Sequence, residues 1–145
     1  MWGRLQTRDR LRRIGLQVEQ ECPMCGMHSE SADHLFTQCI YVRNCIKELN
    51  RNHHLIPLCS NMGRMNDWLQ KPTVGRFRCQ TIQCICTALL YNIWIQRNSA
   101  IWQGSLSHFT KVVQQIKNEV WLRIQSIMPR KVQNKDKDWL RSILL

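Results

Sequence analysis

Residues 22–39 read "CPMCGMHSESADHLFTQC" and hold the densest set of metal-ligating side chains in the chain. The spacing is Cys22-x2-Cys25-x8-His34-x4-Cys39, and thiolate and imidazole are the donors that zinc prefers. A Cys-x2-Cys pair is what a tight turn needs to aim two thiolates at one cation. Gly26 lets the backbone curl there at low steric cost. His34 and Cys39 form the second pair. Over five residues an ideal α-helix turns through about 500°, which leaves the two side chains roughly 140° apart. The helix that carries them must therefore be short or end between them. Four such ligands make a closed tetrahedral site with no position for water or substrate, so the expected Zn²⁺ is structural. Three alternatives compete. His28 can stand in for His34, although it follows Cys25 too closely to wrap the ion well. Cys45 can stand in for Cys39 at the cost of a long last spacer, or the cysteines are core and no metal binds. Zinc on Cys22, Cys25, His34 and Cys39 is the preferred reading. It gives the small 16–45 segment the folding free energy that burial alone would not supply, about 10–16 kcal/mol in zinc peptides.

Catalytic chemistry finds little support elsewhere. His53-His54 and Cys59 are the best candidates for a nuclease or thiol enzyme, but adjacent side chains point apart and no carboxylate pairs with them in sequence. The aspartates are Asp9, Asp33, Asp67, Asp136 and Asp138, with no cluster suited to catalytic Mg²⁺. The expectation is a protein that is not an enzyme.

The elements that must position the cluster follow from pattern. A chain of 145 residues is one domain or one domain with a small satellite, and 43% hydrophobic residues suffice for a core. No apolar run is long enough for a membrane helix. Residues 7–14 read as a short helix capped by Thr7, stopped at Gly15, with Leu5, Leu11 and Ile14 towards a core. Its arginines also give it the composition of a mitochondrial presequence. Residues 31–49 read as one or two short helices with Ser31 as N-cap. Residues 51–75, with two Pro and two Gly, read as a loop with at most one helical turn around 67–69. Residues 76–102 carry Ile82, Ile85, Cys86, Leu89, Leu90, Ile93, Trp94, Arg97 and Ile101 at helical spacing. After Gly104, residues 108–127 repeat the pattern with Phe109, Val112, Val113, Ile116, Val120, Ile124 and Ile127. Two such helices on a short turn pack as an antiparallel hairpin. A last short helix starts at Asp136 or Asp138, and its apolar "SILL" end docks on the core or on a partner. The expected fold is mainly α: a small zinc-knuckle-like N-terminal part over 1–50, a linker over 51–75, and the helical hairpin with a C-terminal short helix over 76–145.

Eight cysteines without an apolar leader point away from a disulfide scaffold and towards a reducing compartment. The net charge of +11, from 21 Lys+Arg against 10 Asp+Glu, attracts polyanions, of which nucleic acid is the commonest. The candidate contacts are Arg4, Arg8, Arg10, Arg12, Arg13, Arg76 and Arg78, with Trp2 or another exposed aromatic to stack on an unpaired base.

The stretch "LQTRDRLRRIGLQVEQECPMCGMHSESADHLFTQC" resembles the zinc-binding domain that ends the reverse-transcriptase polyproteins of plant LINE-type (non-LTR) retrotransposons. Thr7, Arg8, Asp9, Arg10, Leu11, Gly15, Cys22, Cys25, Asp33, His34, Leu35, Phe36 and Cys39 follow that family's pattern in order. "ALLYNIWIQRNSAIWQG" is similar to the family's helical tail, with Trp94, Arg97 and Asn98 in place. The resemblance implies zinc on Cys22, Cys25, His34 and Cys39 and contact with nucleic acid during retrotransposition. The chain departs from the family in lacking a Tyr-x-Asp-Asp motif and in placing Cys45 near where a tryptophan is expected. It reads as an excised fragment or as a remnant retained as a small separate protein. The function expected is a non-catalytic, nucleic-acid-binding zinc protein, RNA favoured, built with other proteins into a ribonucleoprotein such as an organellar ribosome. Mitochondrion or nucleus is the expected location, and no membrane is involved. A protein-interaction adaptor built on the hairpin and "WLRSILL" is the competing reading, and the C-terminal fragment of an active LINE reverse transcriptase a further one.

Overall fold

Helix α1 (Arg8–Arg13) borrows its N-terminal hydrogen bonds from a distant loop. Thr7 occupies the N-cap position, but its hydroxyl donates to Asp9 Oδ1 (2.5 Å) instead of accepting an amide. The Arg8 N–H donates to Glu30 Oε2 (2.8 Å) and the Asp9 N–H to the Glu30 carbonyl (3.2 Å), so Glu30 is the true cap. The computed structural model describes residues 5–71, 74–129 and 131–145. The helix stops where expected, at Gly15 with φ +90°. Ile14 faces solvent rather than the core; Leu5 packs against the hydrophobic cluster and Leu11 is half-buried.

The knuckle follows. An isolated antiparallel bridge pairs Glu21 with Ser29, and the Cys22 N–H donates to the His28 carbonyl (2.7 Å). Inside it the Gly26 N–H donates to the Cys22 carbonyl (2.8 Å), with Gly26 at φ +64° in the left-handed region. Ser31 then accepts the His34 N–H (3.0 Å), the N-cap role its sequence position suggested. A single π-helical turn, His34–Gln38, leads to Cys39, where the backbone turns extended (ψ 132°) before α2 (Ile40–Leu49) begins.

Where the sequence suggested a loop with one turn at most, the structure has α3 (Met62–Gln70). Its Pro and Gly residues do not break it. Gly63 lies in the first turn, Pro57 lies before it, and Asn61 Oδ1 caps it by accepting the Arg64 N–H (2.9 Å). Asp33 Oδ1 takes the Met62 N–H (2.8 Å), which fastens α3 to the π-turn. Met62 and Met65 are buried, as are Leu55 and Ile56 before them.

The hairpin is α4 (Arg76–Trp102) and α5 (Phe109–Ile127), joined through Gly104 at φ +61°. Its antiparallel sense shows in Asn92 Nδ2 donating to Glu119 Oε2 (2.9 Å) and Gln96 Oε1 accepting the Ser107 N–H (3.0 Å). Helix α5 also packs on α2 and on α6 (Asn134–Leu144) and so forms the hub of the bundle. Helix α6 starts at Asn134, ahead of the expected Asp136 or Asp138, and Asp136 lies in its first turn. Leu140, Ile143 and Leu144 are buried, so the "SILL" end docks on the core. Among the described residues there is no strand beyond the one bridge. One hydrophobic cluster runs from Cys22 and Met24 through α2 and the hairpin to Leu144.

Candidate metal centre

The ligand atoms of Cys22, Cys25, His34 and Cys39 all lie within 4.8 Å of one another. Cys22 Sγ and Cys39 Sγ are 3.9 Å apart, and Cys25 Sγ and His34 Nε2 are 3.3 Å apart. A tetrahedral zinc ion with Zn–S near 2.3 Å and Zn–N near 2.0–2.1 Å has edges of about 3.8 Å between sulfurs and about 3.6 Å between sulfur and nitrogen. The protein side chains are thus already spaced for such an ion. Cys22, His34 and Cys39 are buried and Cys25 is half-buried.

The π-turn resolves the angular difficulty of the second pair. The Cys39 N–H donates to the His34 carbonyl (2.7 Å), an i→i+5 bond. This wider turn, followed by the extended backbone at Cys39, carries the side chains of His34 and Cys39 to the same side, where an α-helix would have separated them. Cys39 then serves as N-cap residue of α2, so its sulfur sits at the positive end of that helix.

Electrostatics divide the Cys22 and Cys39 thiols. The hydrogen bond from the Cys39 thiol lowers Cys22 to about 5, against burial, with help from the Met24 and Cys25 amides and His34. The same hydrogen bond, then burial, raises Cys39, partly opposed by the Tyr41 amide. A cation bound by both sulfurs would displace the hydrogen that now lies between them.

Neither alternative ligand belongs to the group of four donors. Cys45 is buried in α2 with its thiol pushed up to about 12 by burial, a neutral core residue. The His28 ring stays exposed, tilted 32° to the His34 ring with centroids 5.4 Å apart. Cys86 is also a core thiol, pushed up to about 12 by burial. Among the described residues no second group of three or more Cys, His, Asp or Glu gathers.

Residues 1–46 match the family described as zinc-binding in reverse transcriptase. The match covers about a third of the chain, and all four ligands lie inside it. No curated protein and no solved structure matches the chain. The family and the geometry of the four donors together fit a structural zinc.

The sequence did not point to Glu30, which is wholly buried. Arg97, from the last two turns of α4, grips it through Nε (2.8 Å to Oε1) and Nη2 (2.9 Å to Oε2). The same guanidinium donates to the Gln6 carbonyl (2.9 Å) and to Asn98 Oδ1 (3.1 Å), and lies over the Trp94 ring at 4.9 Å. Trp94, Arg97 and Asn98 therefore build the socket that holds the zinc module on the hairpin. The hints in sequence were an arginine on an apolar helix face and the Trp94, Arg97 and Asn98 of the helical-tail resemblance, without a named partner.

The nominated arginines divide. Arg8 is turned inward, donating to the Glu21 carbonyl (2.5 Å) and pairing with Glu19 (3.2 Å). Arg78 pairs with Asp136 (2.7 Å) and stacks on Trp139. Arg13 bonds Asp9 on the surface (2.8 Å). Arg10, Arg12 and Arg76 have no acidic partner among the described residues. Arg4 and Trp2 lie outside the described residues.

Proposed function

We propose that the chain is a nucleic-acid-binding zinc protein with no catalysis of its own, RNA being the favoured ligand. It descends from the zinc module of a LINE-type reverse transcriptase and serves within a ribonucleoprotein of a reducing compartment, mitochondrion or nucleus. The observation that carries this reading is a cleft of about 980 Å³ at the start of α4, facing the connector to α6. Arg76, Arg78, Lys131 and Lys135 line it, and the one acid among its described lining residues, Asp136, is bound to Arg78. Three cations without an acidic partner among the described residues, in an open groove, suit a phosphate backbone. Filter binding of single-stranded RNA across a salt series tests it. Binding should fall with a log–log slope of about −0.7 per phosphate neutralised. Changing Arg76, Lys131 and Lys135 to alanine should flatten that slope by roughly 2. Salt-insensitive or absent binding would refute the reading.

A second reading, a protein-interaction adaptor, draws on apolar side chains left in solvent on the hairpin. Trp102 is 81% exposed, Leu122 69% and Tyr91 62%. Singly exposed apolar residues are common, and a partner site needs them contiguous. The "WLRSILL" end is not available to this face, because Leu140, Ile143 and Leu144 are buried. A purified complex that survives nuclease digestion would favour the adaptor.

A further inference from the structure

Beside the metal centre lies a second groove, of about 360 Å³, on the outer side of the knuckle and the first turns of α2. Cys25, Met27, His28, Gln38, Ile40, Arg43 and Lys47 line it. Apolar and aromatic side chains stand in solvent on its floor: Met27 is 71% exposed, Ile40 49%, and the His28 ring is in solvent. The left-handed turn at Gly26 and the start of α2 hold these three side chains out, so their exposure follows from the zinc fold. Arg43 and Lys47 stand one helical turn apart on the same face of α2. Both are exposed and neither has an acidic partner among the described residues. No carboxylate lines the groove.

An apolar floor with an aromatic edge and two free cations at one rim complements a flat apolar ring joined to a phosphate. We propose that this groove takes one unpaired base of a bound RNA, held against Met27, Ile40 and His28, with the flanking phosphates on Arg43 and Lys47. The proposal rests on the nucleic-acid reading above and deepens it: the α4 cleft follows the backbone and the zinc module holds a base. Stacking of bases on protein side chains is tolerant of sequence and strong enough to be measured one base at a time.

The zinc-loaded full chain is tested with two single-stranded RNAs of equal length, one of ordinary bases and one carrying abasic sites along its centre. The wild type should prefer the base-bearing strand by about fivefold or more, the lower end of what one stacked base contributes. Met27→Ser with Ile40→Ser should abolish that preference and leave the affinity for the abasic strand and the zinc stoichiometry unchanged. Arg43→Ala with Lys47→Ala should keep the preference but flatten the salt slope by about 1.4. Equal binding of the two strands by the wild type overturns the base site while leaving the nucleic-acid reading intact. Failure of both strands to bind overturns both. Displacement of the RNA from this groove by an acidic, leucine-rich peptide, with no base preference, would assign the groove to a protein partner instead.

Discussion

At Cys39 the backbone closes the π-turn, the side chain completes the donor set, and the next residue starts α2. Cys39→Ser keeps the size of the side chain and removes a soft donor, so zinc stoichiometry by metal analysis should fall well below one. Thermal stability should fall with it, since the zinc free energy is folding free energy in such a segment. The hydrogen bond between Cys22 and Cys39 gives the site a pH dependence whose sign is fixed. Zinc needs both sulfurs as thiolates, and Cys39 is raised, so its proton must leave when the ion enters. Affinity therefore weakens on acidification by about tenfold or more per pH unit. It steepens near pH 5, where Cys22, lowered to about 5, takes up its proton as well. A chromophoric chelator should report release of the metal as pH falls and recovery as it rises. Stronger zinc binding at low pH would contradict the donor set. Glu30 and Arg97 make a different kind of prediction. Arg97→Met leaves a wholly buried carboxylate without its partner and should cost about 3–5 kcal/mol in urea denaturation. Replacing both residues with apolar ones should cost much less than the two single changes added together.

The helices differ in how far they could be read in advance. Helices α4 and α5 carry long apolar repeats of their own, and their bounds lie within a residue of those expected. Even there, Asn92 and Gln96 are buried among the apolar residues because they bond Glu119 and the Ser107 amide across the hairpin. The metal ligands were legible because a knuckle is a local object whose donors fall within 18 residues. The π-turn was legible only as a constraint, the need for His34 and Cys39 to escape α-helical geometry. Helix α3 was not legible: its signal is two methionines and a capping asparagine, with Asp33 arriving from another element. Because α5 touches α2, α4 and α6, its centre is where a cavity should cost most. Ile116, fully buried, changed to alanine should lower stability by about 2–5 kcal/mol without altering zinc stoichiometry. Asn61→Ala, by comparison, should cost about 1 kcal/mol, the usual value of one N-cap.

Across the whole molecule, charge was legible as a total and not as a surface. The sum of +11 is a property of composition. Which cations remain free depends on long-range pairing, and Arg8 and Arg78 are partly withdrawn by Glu19 and Asp136. The core is similarly indivisible. The cluster that begins at Cys22 and Met24 ends at Leu144, so removal of zinc with a chelator should shift the entire helical signal to lower melting temperature in a single transition. A separate early transition, with the hairpin signal unmoved, would show that the hairpin stands without the zinc module. The grip of Arg97 on Glu30 also bears on portability. The family match ends at residue 46, yet the guanidinium that neutralises Glu30 is supplied from position 97. Grafted alone into a foreign host, the 1–46 cassette would carry its four zinc ligands along with a carboxylate still seeking its cation. A recipient must supply that cation, or let water reach the carboxylate, before the graft will seat.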